Sequence, residues 1–210
     1  MGIRFIFTVD DQAYEELKSG YDSASLGAII IPTDLLGEDE LTVDVNNVLN
    51  VDLVNHVTNE DSETQKSLST YNAVLWNIPS SQYEREVSAR GYIKLAKEGS
   101  ADKYLYTDII AQRSIAQAMT ILLNSDDIDS DEYEYVNDLL EQNLGTVSLD
   151  KELYSIATGQ TATVEVLGNK YGYELTADYL AGNATLTSDN TSVVDVEDCN
   201  TIKAVADGVA

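Results

Sequence analysis

Apolar and polar side chains alternate with period two at several places along the chain, and each such run predicts a strand with one buried face. Ile3, Phe5, Phe7 and Val9 alternate with Arg4 and Thr8, leaving Ile6 as an apolar residue on the outer face. Asp10 and Asp11 are suited to cap a short helix over 12–18, closed by Gly20. Leu26 to Ile31 is a continuous apolar run ended by Pro32, the composition of a buried strand. Residues 33–69 read as polar and irregular apart from a brief alternation over 41–45, and 59–66 has the composition of a surface loop. A strand is predicted over 71–78 and is broken by Pro79-Ser80-Ser81. Over 84–95, Val87, Ala89, Gly91, Ile93 and Leu95 share one face, with Ser88, Arg90, Tyr92 and Lys94 on the other. A turn at Glu98-Gly99-Ser100 then leads into 104–109, which predicts a hairpin.

The period then changes. Ile115, Ala118, Met119 and Leu122 mark an apolar stripe at helical spacing. A second helix is predicted to start at Asp129 or Ser130, with Asp131, Glu132 and Glu134 matched to the helix dipole. Its buried face is Tyr133, Val136, Leu140 and Leu144, and Gly145 is a good terminating residue. From Thr146 the chain turns to short alternating runs at 147–149, 161–166, 184–187 and 193–196. Evenly spaced short strands indicate a sandwich. The expected fold is therefore mainly β: a β-rich α+β domain over 1–145 with two C-terminal helices, then a β-sandwich over 146–210.

Charge narrows the partners. The 37 acidic and 12 basic residues give a net charge of −25. That excludes the clustered cations nucleic acid demands and the polybasic segments that seek anionic membranes. It leaves neutral or cationic partners, bound metal ions or simple solubility. The excess is uneven, since 1–145 carries 27 acids and 9 bases and the remainder 10 and 3, which supports a boundary there. Cys199 is the one cysteine, so no intrachain disulfide can form. No signal-peptide pattern and no bilayer-spanning apolar run is present. The last residues stop in mid-pattern, which predicts a fragment of a longer protein.

Three ordered segments carry a resemblance. Gly159-Gln160-Thr161-Ala162-Thr163-Val164 is similar to the opening of the bacterial group 2 immunoglobulin-like domain. The stretch Leu186 to Val196 resembles that family's "S-S-D-x-S-V-A-x-V" segment, and Thr201 to Ala210 its closing "G-x-V-x-A-x-A-x-G-x-A" segment. Leu186 stands where the family often has Trp, and the strand expected after the closing segment lies beyond the chain. The resemblance implies an Ig-like sandwich lacking its last strand, acting as a stalk or adhesion module, without catalysis, on a bacterial surface or secreted protein. It places the protein outside the cell or in the cell wall. In the first 145 residues, Gly2 to Phe5, Leu26 to Pro32, Arg85 to Tyr92 and Arg113-Ser114-Ile115 resemble an uncharacterised domain of Firmicutes surface proteins, which implies no activity.

Candidate chemistry is sparse. Any triad must use His56, the one histidine, and no G-x-S-x-G elbow exists. One His and one Cys leave too few soft ligands for zinc. Glu84 and Glu86, on one strand face around Arg85, are candidates for a paired-carboxylate hydrolase or for simple surface solvation. Asp126 to Glu132 resembles a calcium loop but lacks its glycine, and reads as a helix cap with dipole-matched acids. Two sequons, at Asn183 and Asn190, are expected to be chance matches. No cofactor is expected. The thirteen tyrosines and Trp76 supply aromatic faces; Tyr71, Trp76, Tyr92, Tyr104 and Tyr106 fall on predicted strands, where they either stack on a sugar or pack across strands. The leading expectation is a non-catalytic adhesion or scaffold segment with a polysaccharide or protein ligand. The alternatives are a carbohydrate-binding module attached to an extracellular enzyme and a hydrolase using paired carboxylates.

Overall fold

The structure, a computed structural model, describes residues 1–62, 64 and 66–210. The chain divides into two compact units, Met1–Ile115 and Ala116–Ala210. The fold is mainly β, with several antiparallel sheets and, among the described residues, no barrel.

The first unit holds β1 (Gly2–Asp10), α1 (Asp11–Lys18), β2 (Ser23–Pro32), α2 (Thr33–Leu36), β3 (Leu49–Asp52), β4 (His56–Glu60), β5 (Ser67–Trp76), β6 (Val87–Ala96), β7 (Lys103–Tyr106) and β8 (Ala111–Arg113). One sheet runs β1-β5-β4 and the other β3-β2-β6-β7, with β8 also pairing β6. The alternation of β1 behaves as predicted: Ile3 and Phe5 are buried while Ile6 stays exposed. Asp10 caps α1, its carboxylate accepting from Ala13 N at 3.1 Å. The two sheets face each other where Phe7 lies over Gly91, so closely that a Cβ on Gly91 would sit 2.8 Å from Phe7 Cδ1.

Several boundaries differ from the sequence reading. β5 stops at Trp76 because Asn77 adopts a left-handed φ of 60°. Residues 41–45 form turns rather than a strand, and β3 and β4 arise in the stretch read as irregular. The loop expected over 59–66 begins later, since Asn59 and Glu60 finish β4; its Glu63 and Gln65 lie outside the described residues. The largest difference is on β6, where Val87 to Gly91 are buried on both faces. Ser88 and Arg90 lie on the face opposite Val87, Ala89 and Gly91, as the alternation predicts, yet they too are buried. They are covered because residues 33–48 fold over that face: Leu36 and Leu41 join Ile29 and Ile31 in a core against which Val43, Val45, Val48, Tyr92, Tyr106 and Ile110 pack.

The second unit contains most of α3 (Ile115–Leu123), then α4 (Ser130–Glu141), β9 (Ser148–Leu149), β10 (Thr161–Thr163), β11 (Val166–Leu167), α5 (Ala177–Asn183), β12 (Val194–Val196) and β13 (Thr201–Ala204). Its sheets are β10-β13-β12 and β11-β9. Asp129 caps α4 by accepting from Glu132 N at 2.8 Å, and Val136 and Leu140 are buried on its inner face, whereas Tyr133 is exposed. The expected boundary at Gly145 falls inside this unit. Buried Asn169 donates to Thr120 Oγ1 at 3.1 Å on α3, Tyr173 donates to Asn137 Oδ1 at 3.0 Å on α4, and Gly145 N donates to Gly168 O. Residues 184–187, predicted as a strand, form none; α5 precedes them, capped by Thr176 and anchored by buried Leu180. No helix among the described residues is long and apolar enough to cross a membrane.

Candidate functional site

Register decides which of the five aromatic candidates meet. Directly opposed residues of paired strands point to the same face of a sheet, and successive residues alternate. Tyr92 on β6 opposes Tyr106 on β7, and Lys94 opposes Tyr104. On its other side Tyr92 opposes Gly27 on β2, which in turn opposes Asp52 on β3. One row across the sheet therefore reads Asp52, Gly27, Tyr92, Tyr106, with Lys94 and Tyr104 in the adjacent row on the same face.

The three rings form a cluster of half-buried tyrosines. Tyr92 meets Tyr104 edge-on at a centroid separation of 5.5 Å and Tyr106 at 6.3 Å, while Tyr104 and Tyr106 lie near-parallel at 6.2 Å. Gly27 is needed beneath them, since a Cβ there would fall 2.3 Å from Tyr92 Cζ. The Tyr106 hydroxyl accepts from Val43 N at 3.1 Å, which ties the cluster to the covering segment.

Arg90 supports the cluster from within the sheet. Its guanidinium stands 4.9 Å from the Tyr106 centroid and donates to Thr107 O (2.7 Å), Leu41 O (3.1 Å) and Glu40 Oε1 (2.7 Å). Lys94 Nζ pairs with Asp102 at 2.8 Å, and that bond raises the ammonium above the ordinary lysine range. Burial pushes the Tyr92 phenol up, and the Asp52 carboxylate adds to the shift. Both cations are thus already committed, while Asp52 is exposed beside the rings.

The other two aromatic candidates lie on the opposite sheet. Tyr71 on β5 is buried and packs against His56 at 5.0 Å between centroids, with burial raising its phenol. Trp76 ends β5 opposite Gly2 and is 71% exposed. Sequence reasoning placed all five on strands but carried no signal for Asp52, Gly27 or Asp102, which reach the site only through strand pairing and the β6–β7 turn.

The remaining candidates are accounted for locally. Glu84 and Glu86 do not share a strand face as expected: they precede β6, in the turn and link after Tyr83. Asp129 is engaged as the α4 cap. Among the described residues, no three His, Cys, Asp or Glu side chains converge to hold a metal ion. Cys199 Sγ donates to Ala177 O at 3.5 Å. Each unit holds a cavity among its described residues. An apolar gap of about 290 Å³ separates the two sheets of the first unit, bounded by Phe7, Tyr14, Leu26, Leu53, Ile93 and Leu105. One of about 610 Å³ in the second unit is lined by residues of β9, β12 and β13.

No family model, curated protein or solved structure matches the chain.

Proposed function

We propose that this chain is a non-catalytic binding segment of a bacterial cell-surface or secreted protein, with an adhesion or scaffold role. In this reading the first unit holds a glycan on Tyr92, Tyr104 and Tyr106, and the second is an Ig-like stalk module. The observation that carries the first part is the convergence of three rings on one face of the β6–β7 hairpin, beside Lys94, Asp102 and Asp52. Aromatic faces bury the apolar face of a sugar ring, and fixed polar groups alongside satisfy its hydroxyls. The second part is supported by the sheet β10-β13-β12, in which the three segments resembling the immunoglobulin-like family meet as antiparallel neighbours. The same platform would serve a carbohydrate-binding module attached to an extracellular enzyme.

The test is a glycan array probed with the chain and two variants. Tyr104→Ala should abolish the signal, while Trp76→Ala, on the opposite sheet, should leave it intact. Binding that survives Tyr104→Ala, or no binding at all, overturns the reading. Polysaccharide turnover lost on substitution of one Asp or Glu would replace it with the hydrolase alternative.

A further inference from the structure

The glycan reading leaves the charge of the ligand open, and the row across the five-stranded sheet addresses it. Two cations lie beside the rings and each is offset by a paired carboxylate. Arg90 is nine-tenths buried, with Nε on the Thr107 carbonyl and Nη1 on Glu40 and the Leu41 carbonyl; Lys94 is paired with Asp102. The carboxylate of Asp52 stands in the same row as Tyr92 and Tyr106, across a position where Gly27 has no side chain. The space over Gly27 is filled by the Tyr92 ring, whose hydroxyl would lie 2.4 Å from a Cβ placed there, so the phenol end of Tyr92 lies on the Asp52 side of the row. The tyrosine faces are electron-rich, and Tyr106 already takes a guanidinium at 4.9 Å. An anionic sugar would meet the exposed carboxylate of Asp52 beside two cations each already paired with a carboxylate, in a chain of net charge −25.

We propose that the tyrosine platform selects an amino sugar in its protonated form, a hexosamine without its N-acetyl group, with the ammonium held between the rings and Asp52. This rests on the glycan reading above and names its ligand class.

The experiment is calorimetric titration of the full chain with three short oligosaccharides of equal length: glucosamine, its N-acetylated counterpart and galacturonate. At mildly acid pH, where the amine is protonated, glucosamine should bind about tenfold or more tighter than the N-acetylated form, and galacturonate weakest. The preference should vanish at alkaline pH. Asp52→Asn should erase the preference, bringing glucosamine down to the affinity of its N-acetylated counterpart. Asp126→Asn, an exposed acid in the other unit with the same loss of charge, should preserve it, which separates the site from general attraction to an acidic chain. Equal binding of the amine and its N-acetylated form, or loss of preference in both Asn variants, overturns the charge selection and leaves the glycan reading standing. Binding of galacturonate above glucosamine does the same. Failure of all three sugars, together with a blank glycan array, removes both.

Discussion

The Tyr92 ring lies directly over Gly27, its opposed partner on β2, so closely that a Cβ on Gly27 would stand 2.3 Å from Tyr92 Cζ. The backbone of Gly27 is not in the left-handed region, so the glycine is required by the ring and not by a turn. Gly27→Ala must displace Tyr92, at a cost of about 1–3 kcal/mol. Glycan binding should fall as far as in Tyr104→Ala, although no ring has been removed. With Tyr92→Ala alone as the third variant, the double variant Gly27→Ala with Tyr92→Ala should lose less stability than the sum of the two single losses, and should not recover binding. Denaturant melts and titration of the three variants read the two effects separately, and additive losses in stability would show that the ring and the glycine do not contend for the same space.

Arg90 offers a second contrast. Its pair with Glu40 joins a buried guanidinium to a carboxylate side chain that is 70% exposed, whereas its bonds to Leu41 O and Thr107 O satisfy backbone carbonyls. Exposed ion-pair partners contribute little, so Glu40→Ala should cost less than about 1 kcal/mol. Arg90→Leu strands the carbonyls and should cost about 3 kcal/mol. Arg90→Lys should not rescue it, because one ammonium cannot reproduce the planar fork. Hydrogen exchange should show the covering segment 33–48 opening in both Arg90 variants. Equal stability loss in Glu40→Ala and Arg90→Leu would put the weight on the ion pair instead.

These contacts show what periodicity can carry. The strands β1 and β6 were legible because an apolar residue or glycine recurs at every second position over seven or more residues, with Ile6 the one apolar residue on the outer face of β1. The cover over 33–48 was not, because Leu35-Leu36 is an isolated apolar pair beside acids and the brief alternation from Leu41 to Val45 folds as turns rather than a strand. The tyrosines were legible as strand residues, yet nothing local separates Tyr71 and Trp76 on one sheet from Tyr92, Tyr104 and Tyr106 on the other. That separation is a matter of pairing between strands distant in sequence, and Asp52 joins the site by the same route. In the second unit the strands have two to four residues, too few to establish a period, and α5 buries only Leu180.

The division of the chain can be tested at Asn169. This side chain is 2% exposed; it donates to Thr120 Oγ1 on α3 and accepts from Tyr171 N and Tyr173 N. Asn169→Ala leaves buried partners unsatisfied and should cost about 2–3 kcal/mol. If α3 and α4 belong with residues after 145, their amides should lose exchange protection together with those of β11 and α5, while β2 and β6 keep theirs. Helices that hold their protection in this variant would restore the boundary to Gly145.

Asp10 carries the pH prediction. Its carboxyl is held below the usual carboxylate value of 3.8, first by the hydrogen bond from Lys66 Nζ at 2.6 Å and then by the Ala13 N–H it caps. A carboxyl whose folded pKa is depressed binds fewer protons folded than unfolded just below the unfolded value. Its contribution to stability is therefore complete above pH 3.8 and is lost as the pH falls through the lowered folded pKa. Asn is an equally good helix cap, so Asp10→Asn removes the charge while keeping an acceptor for Ala13 N. The variant should be less stable than the native chain at neutral pH, and the difference should shrink below pH 3.8 until the two melt together. Added salt should narrow the gap at neutral pH, because the Lys66 bridge is solvent-exposed on its lysine side. The measurement is the urea midpoint of both proteins against pH. A difference that persists unchanged into strong acid would show that Asp10 acts through the shape of its cap and not through its charge.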